Sequence, residues 1–280
     1  MEEKKLKKKL KKIKENDDEL IPQVNLDEIT ESMVFNIGNI DSELRDDLIY
    51  TTFYHWIIEK NYFSNKELNN ILHNVLDDKH LFYKLGNCGD DTVFVRSFSA
   101  LVVALLTARA KDDDYLSKED SEYLKTRFFE YYNKEKDNRG YILGKGWAHS
   151  AAHGADVLDE FARSSFVDND DLIIILKLLK EKTFTDTYAF VDEEDERMVT
   201  AAVRVIKREI ITSEDIVNWI RSFVNFEMPD EYYVYHRLIS NVKGFLRSLY
   251  FRIIEQKEDY SQIIKVLREV IDELNKFKNN

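Results

Sequence analysis

Two prolines and eight glycines in 280 residues leave this chain few ways to turn sharply. Those two residues are the strongest local punctuation in a sequence, because one fixes φ and the other frees it. A β-sandwich or an open α/β sheet reverses direction every few residues and uses them freely. A chain with so few is constrained to long elements joined by short polar connections, which means helices.

The apolar periodicity agrees. From Leu26 onward, apolar residues recur at helical spacing almost throughout. The pattern predicts helices over 26–36, 42–60, 65–78, 92–110, 118–133, 147–163 and 169–182, then 193–210, 213–225, 231–256 and 260–277. Ser213 with Glu214 and Asp215, Ser117 with Asp120, and Asp41 ahead of Leu44 provide N-caps and acidic first turns. The expected fold is all-α: about eleven to twelve helices paired into α-α hairpins, as a curved solenoid or a toroid. No linker interrupts residues 21–280, which are expected to form a single domain, with residues 1–20 a basic helix or tail. No repeat recurs at a fixed period.

Charge is unevenly placed. Residues 1–14 carry eight lysines against Glu2 and Glu3, while the whole chain has a net charge of −12. Leu6, Leu10 and Ile13 form one stripe of that basic segment, which reads as a helix docked by three side chains. The acidic remainder argues against nucleic acid as a partner. Cys88 is the only cysteine, so an internal disulfide and a cysteine-rich zinc site are both excluded. No stretch approaches the roughly 18 consecutive apolar residues of a spanning helix. The N-terminal lysines are not followed by the apolar region of a signal peptide. A cytoplasmic location is expected.

The run Gly146-Trp147-Ala148-His149-Ser150-Ala151-Ala152-His153-Gly154-Ala155-Asp156 is the best candidate for chemistry. On a helix turning about 100° per residue, His149, His153, Asp156 and Glu160 fall inside an arc of roughly 60°. Trp147, Ala151, Leu158 and Phe161 take the opposite side. Imidazoles four residues apart can offer two nitrogens to one ion, and Asp156 one turn on can add an oxygen. A divalent metal such as zinc, or iron or manganese, suits that set. The same residues are also readable as structural, or as a metal-free polar pocket. Ala148, Ala152, Ala155 and Gly154 imply that another helix or a ligand comes close on one flank. The helix follows an irregular segment, residues 135–146, which holds three of the eight glycines and Arg139. Loops of this kind often border a site.

Two further sets are candidates. The acid run Asp192-Glu193-Glu194-Asp195-Glu196 complements the positive end of the helix it opens. Glu194 or Asp195 is also a candidate third metal ligand or catalytic base. Arg96 and Arg247 lie beside apolar runs, where a guanidinium either pairs with a buried carboxylate or binds an anionic ligand. Arg139 and Trp147 join them as candidate ligand-binding residues. Phosphate-binding loops, the nucleophile elbow, the dinucleotide fingerprint and His-Glu-x-x-His are all absent.

Gly146-Trp147-Ala148-His149 followed by Ala152-His153-Gly154-Ala155-Asp156 resembles the hallmark of a bacterial family, domain of unknown function 2785. Arg96-Ser97-Phe98-Ser99-Ala100, Asp137-x-Arg139-Gly140-Tyr141, Glu194-Asp195-Glu196-Arg197 and Leu246-Arg247-Ser248-Leu249-Tyr250 extend the similarity from about residue 85 to 252. The resemblance implies an all-α bacterial protein and carries no activity. A fainter likeness is to the lanthionine cyclase toroids, whose zinc cysteines have no counterpart here. The function expected is a polar cleft for a metal ion or small polar ligand, with hydrolysis as its chemistry. The alternative is a non-enzymatic helical scaffold that binds a protein partner.

Overall fold

The computed structural model describes residues 1–21, 24–112, 115–256 and 258–276. Twelve α-helices account for most of the described residues, and the only strands among them form one two-stranded ribbon. The all-α class read from the periodicity therefore holds. The chain divides into two compact units, Met1–Val157 and Leu158–Asn280.

In the first unit, α1 (Glu3–Glu15) buries Leu6, Leu10 and Ile13 completely. Its outer lysines pair with acids of the same unit: Lys7 with Asp41 and Glu43, and Lys11 with Glu43 at 2.6 Å. Next come α2 (Leu26–Phe35) and a continuous helical run whose first and last parts, Glu43–Tyr50 and His55–Glu59, are wound as π-helix on either side of α3 (Thr51–Tyr54). A capping box between Ser64 and Glu67 opens α4 (Asn65–Val75). At the centre is α5 (Thr92–Asp112), packed against α3, α4 and both π-helical segments. By length and composition, its stretch Thr92–Lys111 could cross a membrane, but 78% of it is buried inside the protein. This is the behaviour of a core helix. Ser117 caps α6 (Lys118–Lys134) by accepting the Asp120 N–H at 3.0 Å.

The ribbon pairs β1 (Tyr141–Ile142) with β2 (Gly146–Trp147), with Tyr141 opposite Trp147. It replaces the first turn of the helix expected over 147–163, so α7 runs Ser150–Arg163. The unit boundary falls within α7.

The second unit continues with α8 (Asn169–Thr183), α9 (Glu194–Lys207), α10 (Ser213–Arg221), α11 (Tyr232–Ile254) and α12 (Ser261–Glu273). α9 and α11 pack together, as do α10 and α12, and α8 lies against α9. The cap of α10 is Thr212, whose hydroxyl accepts the Asp215 N–H at 3.1 Å, one residue before the expected Ser213. Residue 277, the end of the last expected helix, lies outside the described residues.

Candidate functional site

The loop that delivers α7 is built by its own polar side chains. Asp137 is buried and its carboxylate is fully used: Oδ2 accepts the Gly89 N–H at 2.9 Å, and Arg139 grips both oxygens. The Ser150 hydroxyl donates to the Asp137 carbonyl, which ties the loop to the first residue of α7. Ala148 and His149 donate their N–H groups to the carbonyls of Gly140 and Arg139, each at 2.9 Å. Gly146 has φ +84°, and a β-carbon there would press on the Arg45 guanidinium and the Ser42 side chain. Only glycine meets both demands.

His149 ends this loop with φ +47°, a left-handed conformation uncommon outside glycine. It therefore precedes α7 rather than riding on it, which corrects the expectation of four groups on one helical arc. Its carbonyl still accepts the His153 N–H at 2.8 Å. The two imidazoles remain neighbours: 7% and 5% exposed, with ring centres 5.6 Å apart and planes at 85°. Trp147 stacks on His149 at 4.3 Å and meets Tyr141 edge-on at 4.9 Å. Phe98 meets His153 edge-on at 5.2 Å. Beyond Phe98 lies Arg45, fully buried, its guanidinium 4.7 Å from the Phe98 ring centre and 4.1 Å from that of Phe94. A continuous file of rings thus runs from a buried cation to an exposed ribbon. Trp147, expected on the apolar back of the helix, is instead on the ribbon and 39% exposed. Asp156 is half-buried on α7, three residues on from His153.

Arg45 and its neighbour Asp46 were not legible as site residues. Arg45 donates to the carbonyls of Asn39 and Lys145 at 2.6 and 2.7 Å and pairs with Asp46 at 2.8 Å. Burial pushes the Asp46 carboxyl up to about 6, against the pull of Arg45. In sequence the two look like ordinary charges on an amphipathic helix. The one available signal was Gly146, which marks a close backbone approach without saying to what.

Arg96 follows the structural of its two readings. It is fully buried, bonds both oxygens of buried Glu135 at 2.5 and 3.0 Å, and donates to the Tyr83, Lys84 and Asn87 carbonyls and the Thr92 hydroxyl. One guanidinium thereby gathers the segment leading into α5. The small flank of α7 is explained by packing as well. A β-carbon at Gly154 would collide with the Tyr132 ring, and the Tyr132 hydroxyl donates to the Ala151 carbonyl at 3.0 Å.

In the second unit, the Asn241 amide holds the segment before α9, accepting the Phe190 N–H at 2.8 Å and donating to the Thr185 and Tyr188 carbonyls. Glu193 follows with φ +63°. Glu194 is fully buried, and its Oε2 accepts the Asp192 N–H at 2.9 Å. Asp195 lies against Gly244 of α11, where a β-carbon would come within 2.7 Å of its Oδ2. Burial raises both the Glu194 and Asp195 carboxyls above their ordinary values. That is the direction an acid–base group needs. Arg247 is exposed on α11.

The model of the family described as protein of unknown function DUF2785 matches residues 81–251. The chain belongs to this family. The matched residues of this DUF2785 member include the ribbon, both imidazoles, Arg96, the acid run and Arg247. No curated protein and no solved structure matches the chain.

Proposed function

We propose that this DUF2785 protein holds a divalent metal ion on His149 and His153, with Asp156 as an oxygen donor and Arg139 and Trp147 beside the ligand that the metal presents. One observation supports this most: two buried imidazoles with ring centres 5.6 Å apart at a steep angle. Two imidazole nitrogens each about 2.1 Å from one ion place their ring centres roughly 5 Å apart. The left-handed backbone at His149 is a second support, because strain of that kind is commonly retained where a side chain must be aimed. Two nitrogens and a carboxylate suit zinc, iron or manganese. A metal held by so few protein groups keeps positions for water, and a bound water of lowered pKa serves hydrolysis.

The test is elemental analysis of untagged protein purified without chelators. Close to one equivalent of metal is expected, with loss in His153→Ala and His149→Ala and retention in His236→Ala. Metal-free wild-type protein that copurifies with a tight partner would replace this reading with the scaffold one.

A further inference from the structure

α1 is amphipathic, and its apolar side is already committed. Leu6, Leu10 and Ile13 are completely buried against the first unit. The helix therefore keeps no apolar face of its own to insert elsewhere, and its opposite side is held facing solvent. That side is a row of lysines. Lys4, Lys8 and Lys12 occupy successive turns, with Lys5 beside them, and all four are exposed. At 1.5 Å per residue the row is about 12 Å long.

These four are not the lysines that hold the helix down. Lys7 and Lys11 pair with Asp41 and Glu43, Lys9 approaches Glu28, and Lys14 donates to the Asp47 carbonyl. Among the described residues, no carboxylate pairs with Lys4, Lys5, Lys8 or Lys12. Like charges one turn apart on a helix repel, so nothing in the fold gains from the row. It stands on a chain whose net charge is −12. Half of the segment's eight lysines thus serve the fold, and half face outward with nothing to neutralise them.

A second observation lies close by. The segment that receives Lys7 and Lys11 also supports the ribbon: Arg45 donates to the Lys145 carbonyl, and Gly146 abuts the Ser42 side chain. The tip of that ribbon is apolar. Leu143 is 93% exposed, and Tyr141, two residues before it, is exposed as well. One exposed leucine is ordinary by itself. Near a row of free ammonium groups it supplies the apolar half of a peripheral anchor.

We propose that the first unit docks on an anionic membrane surface, with Lys4, Lys5, Lys8 and Lys12 against the lipid headgroups and Leu143 in the outermost apolar layer. Attachment of this kind needs two signals, and charge plus an apolar side chain are two. Nucleic acid shares the negative charge but fits less well. The row has no arginine to grip a phosphate in two places, and Leu143 would find no hydrocarbon there. The surface does not depend on metal at the imidazole pair.

The experiment is sedimentation of the full chain with vesicles of mixed phosphatidylcholine and phosphatidylserine at physiological ionic strength. Saturable binding is expected, with none on phosphatidylcholine alone. Each lysine at such a surface is worth about fivefold, so Lys4→Gln/Lys8→Gln/Lys12→Gln is expected to weaken binding on the order of a hundredfold. Leu143→Ser leaves the charge intact and is expected to weaken it about fivefold. Lys177→Gln/Lys207→Gln/Lys265→Gln removes the same charge from exposed positions of the second unit and is expected to bind as wild type does. The proposal is overturned by the absence of binding to the anionic vesicles, or by equal binding to the neutral ones. Equal losses in the two charge-matched triple variants, or an unchanged Leu143→Ser, would also overturn it. Tighter binding to a DNA duplex than to the anionic vesicles would do so too, and would assign the row to nucleic acid.

Discussion

Gly154 and Arg96 look functional in sequence, and packing accounts for both. Glycine inside a helix costs about 1 kcal/mol against alanine, and at 154 the gain is room for the buried Tyr132 ring. Gly154→Ala therefore improves helix propensity and overpacks the contact, a fault that typically costs about 1–3 kcal/mol. A net loss of up to about 2 kcal/mol is expected from the difference. Urea denaturation measures it, and a variant about 1 kcal/mol more stable than wild type would mean that Tyr132 yields without cost. Arg96 shows the same logic in charge. Its donors are consumed by Glu135 and the carbonyls of the segment before α5, so its role is to hold that segment.

At the scale of elements, α1 meets its expectation and the start of α7 departs from it. The basic segment reads as a helix docked by three side chains, and Leu6, Leu10 and Ile13 are all fully buried. Leu10→Ala removes a buried leucine and leaves a cavity, so a loss of about 2–5 kcal/mol is expected. A shift in the urea midpoint too small for about 1 kcal/mol would show α1 to be loosely held. The first turn of α7 departs from the expected helix for a physical reason. Helical periodicity continues through Trp147, but the Gly140, Gly144 and Gly146 loop folds back as a ribbon and pairs Tyr141 with Trp147. Exposed aromatics and Leu143, 93% exposed, are displayed there. A cross-strand aromatic pair and two positive-φ glycines outweigh the local preference for helix.

For the molecule as a whole, the buried carboxyls set how stability responds to pH. Asp46 has a folded-state value of about 6 against an ordinary 3.8. Between those values the native state binds more protons than the unfolded one, so this group's contribution falls as pH rises through the window. Glu194 and Asp195 shift in the same direction. Asp46→Asn is therefore expected to compare better with wild type at pH 7 than at pH 4. Paired urea midpoints at the two pH values check this, and an unchanged difference would mean that Asp46 ionises normally. Keeping charges in such places is a cost that proteins commonly bear for function.

Residue order alone determined where nearly every helix lies, because periodicity and caps are local properties read within one or two turns. It also put the two histidines side by side, with ring centres 5.6 Å apart. It could not determine that His149 stands ahead of the helix, that Arg45 and Asp46 lie beneath the ribbon, or which of the two readings Arg96 would take. Those outcomes depend on residues as far apart as 45 and 145, or 96 and 135, being brought together. Whether a charge is buried, and beside what, is a property of tertiary packing and leaves no local trace in the chain.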